Sequence, residues 1–575
     1  MQKKLFIKKP SKFFYITLLI CFLVWLLSGN LIWRHVDDFG PLEALYNANT
    51  FKDYVKLFSY WGWGTYPPIW QYFSLSSYIF KPFGIDSIRS ISFLLAFLAI
   101  SISSFLTYSI SSKLINKEER GNNFHTKNYF IEILSVLLNA LSPEIMLHSN
   151  SNMPYNLSTI TIQLVILSIF FIIKKPINII KSNSFICLDS NYFIIITLFS
   201  LVLTFQSTFI IFGLIITLLF YSLKSKTSFK LKNFLNPKLI VKRYNLLFKN
   251  IRNIFIKRFL LIGLSFFLSM YFIKLLLIIF YYNLDPGSWA NGIDNIYNLT
   301  NNLSNPYITI TRVVSNLKSI VTQSVYPSRF LQIEVSFFIL IIYLISVIRL
   351  SKKNSISRYF SLFSFSTILV TILLSLKGNF IFSPTRHTIF LYPLFWIPLI
   401  NSFNNIFSKI NLEKFKLIIL IIIIALFSQA SLYSIKSISY SNIENEKLIS
   451  LLKQSNFYLY NSYEPFSNLS LHGTKEYLQT KKKKCLPDKI KNLSSYKIFM
   501  YNHRNPFVQK KDQVDYIFRE NKECFYGKSQ ISIIDKIERK NNKDIEQNNL
   551  IINGGSSLYG YLIKVTKINA ELNSN

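Results

Sequence analysis

The 575-residue sequence contains few acidic residues and few charges of either sign. Asp and Glu number 28 against 64 Lys and Arg, which gives a net charge of +36, and charged residues make up only 16% of the chain. A mean hydropathy of +0.30 excludes a disordered chain and an ordinary water-soluble protein. The basic residues alternate with long uncharged blocks, which argues against a compact nucleic-acid-binding domain. The composition therefore predicts a membrane protein whose positive charge is sorted by side.

Eleven blocks are apolar enough to predict transmembrane helices, because a helix needs about 20 mostly apolar residues to cross the hydrocarbon core. The fifth and sixth blocks are short and could form one long helix, but the charge pattern separates them near Gln206 and Ser207. The predicted fold class is an all-α polytopic membrane protein. The blocks are 13–33, 87–111, 129–147, 156–173, 192–205, 207–223, 259–283, 330–349, 359–376, 387–408 and 415–436.

The distribution of Lys and Arg predicts which helix ends face the cytoplasm. The N-terminal segment is basic, and residues 224–258 contain eleven bases and no acid. Eleven spans place both segments in the cytoplasm, whereas merging the fifth and sixth spans would place 224–258 outside. The first span lacks a small-residue cleavage site and is predicted to be a signal anchor. We therefore predict a multi-pass protein of the bacterial plasma (inner) membrane with a cytoplasmic N-terminus.

The odd number of spans places the C-terminal segment, residues 438–575, on the periplasmic side. Short strand-like runs favour a small mixed α/β domain there, attached to a transmembrane domain of residues 1–437. The alternative is a largely flexible tail, because Asn and Lys crowd residues 540–549. The strand-like runs are 496–501, 531–534 and 558–566.

The four cysteines show no spacing to histidine that is typical of a zinc site. Cys21 lies in the first span and Cys187 in a predicted cytoplasmic loop, so both are expected to be reduced. Cys485 and Cys524 lie in the outer segment, where a disulfide is permitted. Two free thiols remain the alternative for this pair.

Two adjacent carboxylates, Asp37 and Asp38, follow the first span within a few residues of the predicted membrane surface. Neighbouring like charges raise the pKa of one member of such a pair, which suits a proton acceptor near neutral pH. The structural alternative is a helix N-cap, because Asp38 precedes Pro41 and a possible loop helix at 41–49.

Polar residues also gather at other predicted outer turns. His148 and Asn150 follow the third span and could line a polar cavity, although a lone histidine is more often a hydrogen-bonded surface group. Arg386 and His387 begin the tenth span on the outer side, against the charge rule. A guanidinium there suits a phosphate, and an arginine that snorkels to lipid phosphate is the alternative. Lys274 and Glu334 are further charges in or near predicted spans.

The order of four motifs resembles the GT-C class of membrane glycosyltransferases. The resemblance is to the bacterial family-39 branch, relatives of protein O-mannosyltransferases and aminoarabinose transferases. The motifs span roughly residues 13–410, although Ser151 and Met153 stand where the family often has an acid and an arginine. The four motifs are the pair Asp37-Asp38; the turn Thr65-Tyr66-Pro67-Pro68-Ile69-Trp70 leading through Phe83-Gly84 to Arg89; the turn from His148 to Pro154-Tyr155; and Arg386-His387 with Pro393.

The resemblance implies transfer of a hexosyl or pentosyl group from a polyprenyl-phosphate donor to a hydroxyl acceptor on the outer face, with inversion. The acceptor would be a lipid, glycan or protein. In this reading Asp37 is the base, Asp38 its positioning partner or a contact for a possible divalent cation, and Arg386 with His387 binds the donor phosphate. The substrate cavity would be lined by Tyr66, Pro67, Pro68, His148, Asn150 and Tyr155.

Three other functions remain open from the residues. A flippase or transporter for a lipid-linked sugar would be expected to have ionisable groups deep in several spans and repeated halves, and neither is clear here. An envelope polysaccharide polymerase or ligase would place key arginines in a large late outer loop, and the loop 284–329 contains Arg312 and Arg329. A degenerate family member that acts as a scaffold is favoured by the altered third motif.

Overall fold

The structure is a computed structural model of the chain. Its described residues fall into two compact units: 4–29 and those between 88 and 435 form the first, and 50–51, 78–87 and those from 436 onward form the second. The domain boundary at 437 stays a prediction. The structure describes residues 4–29, 50–51, 78–83, 85–114, 129–142, 144–146, 157–173, 184–202, 206–224, 305–326, 333–376, 382–383, 386–407, 413–438, 454, 457–460, 494–502, 529–538 and 559–567.

The described chain up to residue 438 is mostly helical, with one pair of strands and two 3-10 turns. The 3-10 turns are Lys81–Phe83 and Arg386–Leu391. The strands are β1 Lys4–Lys8 and β2 Ser184–Asp189. The helices are α1 Lys12–Gly29, α2 Ile85–Leu114, α3 Tyr129–Ala140, α4 Leu157–Ile173, α5 Ser190–Val202, α6 Ser207–Lys224, α7 Pro306–Val325, α8 Ile333–Lys353, α9 Ser355–Leu376, α10 Tyr392–Phe407 and α11 Glu413–Ile438.

Ten of the eleven predicted spans contain a helix, and the seventh, 259–283, lies outside the described residues. The separation of the fifth and sixth spans agrees with the structure, because α5 ends at Val202 and α6 begins at Ser207. Among the helices that the structure describes, four are long and apolar enough to cross a membrane: α2, α8, α9 and α11; α1, α3, α4 and α6 contain shorter apolar stretches. The count of eleven spans stays a prediction.

The surface of α11 shows that this unit belongs in a membrane. Large apolar side chains are exposed along it, including Phe415 at 51%, Ile421 at 58% and Leu426 at 58%. An apolar surface of this length is strongly unfavourable in water and favourable in hydrocarbon. The protein is therefore a polytopic membrane protein.

Strands β1 and β2 were not predicted from the sequence. They pair antiparallel, with Lys4 opposite Asp189 and Ile7 opposite Ile186. The pairing places the N-terminal segment and the segment after α4 on the same side of the unit. That placement agrees with the even number of predicted crossings between them, although the identity of that side stays a prediction.

A buried carboxylate anchors the N-terminal segment to α3. Glu132 is 4% exposed and accepts hydrogen bonds from the Ser11 backbone amide, at 3.0 Å, and from the Ser11 hydroxyl. Glu132 stands in the first turn of α3, where the helix dipole favours a negative charge. These contacts replace the water that the carboxylate loses on burial.

A hydrogen-bonded polar network joins α2, α3 and α4 inside the apolar unit. Ser103 donates to Asn139 Oδ1 at 2.5 Å and lies 3.0 Å from the Thr159 hydroxyl. Thr107 accepts from Asn139 Nδ2 at 3.0 Å and from Gln163 Nε2 at 2.8 Å. Such bonds between helices stabilise association in lipid, where apolar side chains provide no driving force against lipid tails.

The second unit contains a four-stranded sheet with the order β3-β4-β6-β5. Strand β3 is parallel to β4, and β6 is antiparallel to both β4 and β5. The three strand-like runs of the sequence are confirmed as β4, β5 and β6, whereas β3 was not predicted. The α part of the predicted α/β domain, and Cys485 and Cys524, lie outside the described residues. The strands are β3 Phe457–Tyr460, β4 Ser495–Asn502, β5 Ser529–Glu538 and β6 Tyr559–Lys567.

Candidate functional site

Only part of the predicted site falls within the residues that the structure describes. Arg386 and His387 begin the 3-10 turn Arg386–Leu391, which leads directly into α10, and His387 is half-buried. The predicted third-motif turn begins just beyond Ser142 and Glu144, which are both buried. The predicted residues outside the described chain are Asp37, Asp38, Tyr66, Pro67, Pro68, His148, Asn150 and Tyr155.

The described residues of the second motif are Phe83, in the second unit, and Arg89, in the first. The turn Lys81–Phe83 comes immediately before α2, and Phe83 is 71% exposed. Lys81 Nζ lies 6.0 Å from the centroid of the Tyr78 ring. Partial burial lowers the pKa of Lys81. Arg89 stands near the start of α2.

Helix α3 is short and ends inside the first unit, where side chains satisfy its last carbonyls. Trp25 Nε1 donates to the Ala140 carbonyl at 2.6 Å, and the Ser431 hydroxyl donates to the Leu141 carbonyl at 2.9 Å. The last carbonyls of a helix lack intrahelical partners, and leaving them unpaired in an apolar interior is costly. Helices α1 and α11 therefore hold the end of α3, which precedes the third motif in the sequence.

The helix α7 was predicted as part of a loop, and it contacts this same end of α3. The Ser142 hydroxyl donates to the Gln323 carbonyl of α7 at 3.3 Å. Glu144, two residues further on, is fully buried. The signals for α7 were Asn305 and Pro306: the Asn305 side chain accepts a hydrogen bond from the Ile308 amide at 3.2 Å, as an N-cap does.

The same helix holds the segment that precedes Arg386. Asn316 Nδ2 of α7 donates to the Phe382 carbonyl at 2.6 Å, and the Phe382 amide donates to the Ser375 hydroxyl of α9 at 3.2 Å. The Thr388 hydroxyl then donates back to the Ser383 carbonyl at 2.9 Å, which closes the turn. The backbone before Arg386 is thus bonded to two helices.

A second bond fixes α10 to the end of α7. Trp396 Nε1 donates to the Ser324 carbonyl at 2.6 Å, and Trp396 is fully buried. The C-terminal half of α7 is consequently bonded to Ser142, Phe382 and Trp396, which lie near the third and fourth motifs in the sequence. Sequence reasoning could not reveal this contact, because the partners lie far apart along the chain.

The charge on α7 favours an anion. Its sequence contains Arg312 and Lys318 and no acidic residue. Lys318 Nζ lies 4.9 Å from the centroid of the Phe337 ring on α8. Partial burial lowers the pKa of Lys318, since the protein replaces part of the water around its ammonium. Helix α7 is therefore basic, which suits binding of a phosphate.

The described residues do not form a ligand set for the predicted divalent cation. Within those residues, no group of three or more His, Cys, Asp or Glu side chains lies close enough to hold a metal ion. The carboxylates named for this role, Asp37 and Asp38, are outside that part of the chain. A role for a cation therefore stays a prediction.

No protein-family model matches the sequence, and no curated protein matches it. Among solved structures, the chain is similar to the crystal structure of ArnT from Cupriavidus metallidurans bound to undecaprenyl phosphate. The two chains are 9% identical, the alignment covers 95% of this chain and 97% of that chain, and the TM-score is 0.46. A similarity of this size assigns neither a family nor a function.

Proposed function

We propose that the protein is an integral-membrane glycosyltransferase that moves a sugar from a polyprenyl-phosphate donor to a hydroxyl acceptor on the outer face of the membrane. The order of the four motifs along one membrane topology supports this proposal. The observation that carries it is that one basic, acid-free helix, α7, is hydrogen-bonded both to Ser142, which precedes the third motif in the sequence, and to Phe382, which precedes Arg386. An anionic, lipid-borne substrate fits a basic site built within an apolar helical unit.

The proposed chemistry is a single in-line displacement with inversion. The acceptor hydroxyl oxygen attacks the anomeric carbon, and the bond from that carbon to the phosphate oxygen breaks. The polyprenyl phosphate leaves with the electron pair, and the hydroxyl proton passes to a base. Base and leaving group must lie on opposite faces of the sugar.

Each predicted residue has a role in this displacement. Asp37 acts as the base, and Asp38 positions it or contacts a divalent cation. Arg386, with His387, binds the donor phosphate and stabilises the negative charge that grows on it as it leaves. The residues predicted to line the substrate cavity are Tyr66, Pro67, Pro68, His148, Asn150 and Tyr155.

The test is transfer by the purified full-length protein in detergent. A labelled polyprenyl-phosphate sugar is incubated with hydroxyl acceptors, and product is separated from donor. We expect turnover, and we expect Asp37→Asn to lower the rate by about 10²- to 10⁴-fold, as removal of a positioned base does. Near wild-type transfer by a normally inserted Asp37→Asn protein would contradict the assignment of the base. Donor binding without any transfer would favour a flippase, transporter or scaffold.

One observation favours a second candidate, an envelope polysaccharide polymerase or ligase. Arg312 stands on α7, one helical turn before Asn316, which contacts the segment leading to Arg386. Arginines from that late segment are the expected feature of this class. The product distinguishes the two functions: addition of one sugar supports the transferase, and transfer of a preformed glycan chain supports the ligase.

A further inference from the structure

We infer that Asn316 is a positioning residue, whose amide fixes the backbone from which Arg386 reaches the donor phosphate. This inference rests on the proposed function, because it assigns a purpose to the geometry around Arg386. It adds a residue on α7, a helix that has no place among the four motifs.

The backbone of Phe382 is hydrogen-bonded by two different helices. Its carbonyl accepts from Asn316 Nδ2 at 2.6 Å, and its amide donates to the Ser375 hydroxyl at 3.2 Å. Phe382 and Ser375 are fully buried, and Asn316 is half-buried. A buried residue whose backbone amide and carbonyl are both paired to side chains has a defined position.

Only two residues separate Ser383 from Arg386, so the fixed backbone of Phe382 determines where the 3-10 turn begins. Successive Cα atoms are about 3.8 Å apart, and this leaves the chain little slack over so short a distance. The Thr388 bond to the Ser383 carbonyl stabilises the turn on its other side. Loss of the Asn316 donor removes the hydrogen bond from α7 to Phe382 and leaves the bond from Phe382 to Ser375 of α9.

Loss of this hydrogen bond should lower the affinity of the protein for a phosphate ligand. A guanidinium binds phosphate through two directed hydrogen bonds, and these weaken when its backbone is displaced. One hydrogen bond contributes a modest net amount in proteins, which corresponds to about a 2- to 10-fold change in affinity. We expect the effect to act through Arg386, because Asn316 is bonded to the backbone of Phe382, four residues before Arg386.

The experiment measures the affinity of the purified full-length protein, in detergent, for a polyprenyl phosphate without sugar. Asn316→Leu removes the donor and keeps a branched side chain, and Asn316→Ala serves as a second donor-free variant if the leucine protein does not fold. Asn316→Gln keeps an amide donor. Each change is made in the wild-type background and in an Arg386→Ala background, and thermal unfolding confirms that every protein is folded.

Asn401 provides the matched control. Its side chain is buried and, like that of Asn316, donates to a backbone carbonyl; this carbonyl, Ile397 at 2.8 Å, belongs to its own helix α10. We expect Asn401→Leu to leave the affinity for polyprenyl phosphate unchanged. A general cost of removing an amide donor from the unit would appear in this variant as well.

We expect Asn316→Leu to weaken binding by about 2- to 10-fold when Arg386 is present and by less than about 2-fold when it is absent. We expect Asn316→Gln to recover part of the loss. Unchanged affinity in Asn316→Leu, or an equal loss in both backgrounds, would overturn the positioning role and leave the proposed function standing. Unchanged affinity in Arg386→Ala alone would overturn the phosphate role of Arg386, and the positioning role with it.

Discussion

Helices α9 and α11 are both long and apolar, yet they occupy opposite environments in the first unit. Of the most apolar stretch of each helix, 61% is buried in α9 and 11% in α11. The buried face of α9 contains a stripe of small hydroxyl residues beside Phe360 and Phe363, whereas α11 exposes large aliphatic residues such as Ile418 and Ile421. The stripe consists of Ser357, Ser361, Ser364, Thr367, Thr371 and Ser375.

The difference shows what sorts helices inside a membrane protein. Lipid tails are as apolar as leucine, so hydrophobicity alone does not drive a helix into the interior. Small side chains allow close approach, and their hydroxyls can bond to their own backbone, as Ser364 does to Phe360 and Thr371 to Thr367. Helix α9 has such a face along its length and α11 has hydroxyls mainly near its C-terminal end.

The largest expected effect on stability comes from a substitution at the close contact between α6 and α9. A Cβ at Gly213 would overlap Thr367 Oγ1 and would lie 3.1 Å from the Thr367 Cα. We expect Gly213→Leu to lower the free energy of unfolding by about 3 kcal/mol, because neither helix can shift without losing its other contacts. Denaturant titration in one fixed detergent measures the change.

Removing the Thr367 hydroxyl tests whether its clash with a side chain at position 213 causes the loss of stability. Thr367 Oγ1 is buried and has no hydrogen-bond partner among the described residues, so Thr367→Ala should cost little. Gly213→Ala should be less destabilising in the Thr367→Ala protein than in the wild type. Equal costs in both backgrounds would contradict this account of the packing.

The second effect tests whether polar contacts also hold the interior of the unit. Asn139 bonds to Ser103 and Thr107 on α2. Asn139→Leu should lower the free energy of unfolding by about 1–2 kcal/mol, since it leaves buried hydroxyls with fewer partners. The same titration measures it, and a value near zero would mean that close packing alone holds these helices.

A smaller effect is expected where α11 touches the interior. Ser431 is fully buried and donates to the Leu141 carbonyl at the end of α3. Ser431→Ala should cost about 0.5–1.5 kcal/mol, the net value of one hydrogen bond. If this variant were as costly as Gly213→Leu, α11 would belong with α9 and the contrast between them would fail.

The smallest effect is expected on the exposed face of α11. Ile421→Leu exchanges one aliphatic side chain for another where the side chain is 58% exposed. The free energy of unfolding should change by no more than about 0.5 kcal/mol. A loss above about 2 kcal/mol in the same titration would show that this face packs against protein.

Prediction from the sequence was most accurate for features that depend only on the composition of a single segment. Apolar blocks located α9 and α11, and the basic run 224–258 led to the break before Ser207. Helix α7 was missed because it is only partly apolar, and its buried half is completed by Ser142 and Trp396 from distant parts of the chain. For the site, Arg386 could be named from the sequence, but its attachment through Phe382 could not.

The amino-acid sequence by itself determined that the chain enters a membrane and which segments form its apolar helices, because transfer to hydrocarbon is nearly additive along a segment. Only the tertiary structure decided which apolar helices lie inside the unit. It also paired β1 with β2 and brought Asn316 to the carbonyl of Phe382. Contacts of this kind depend on the distance and direction between two atoms, and local composition does not specify either.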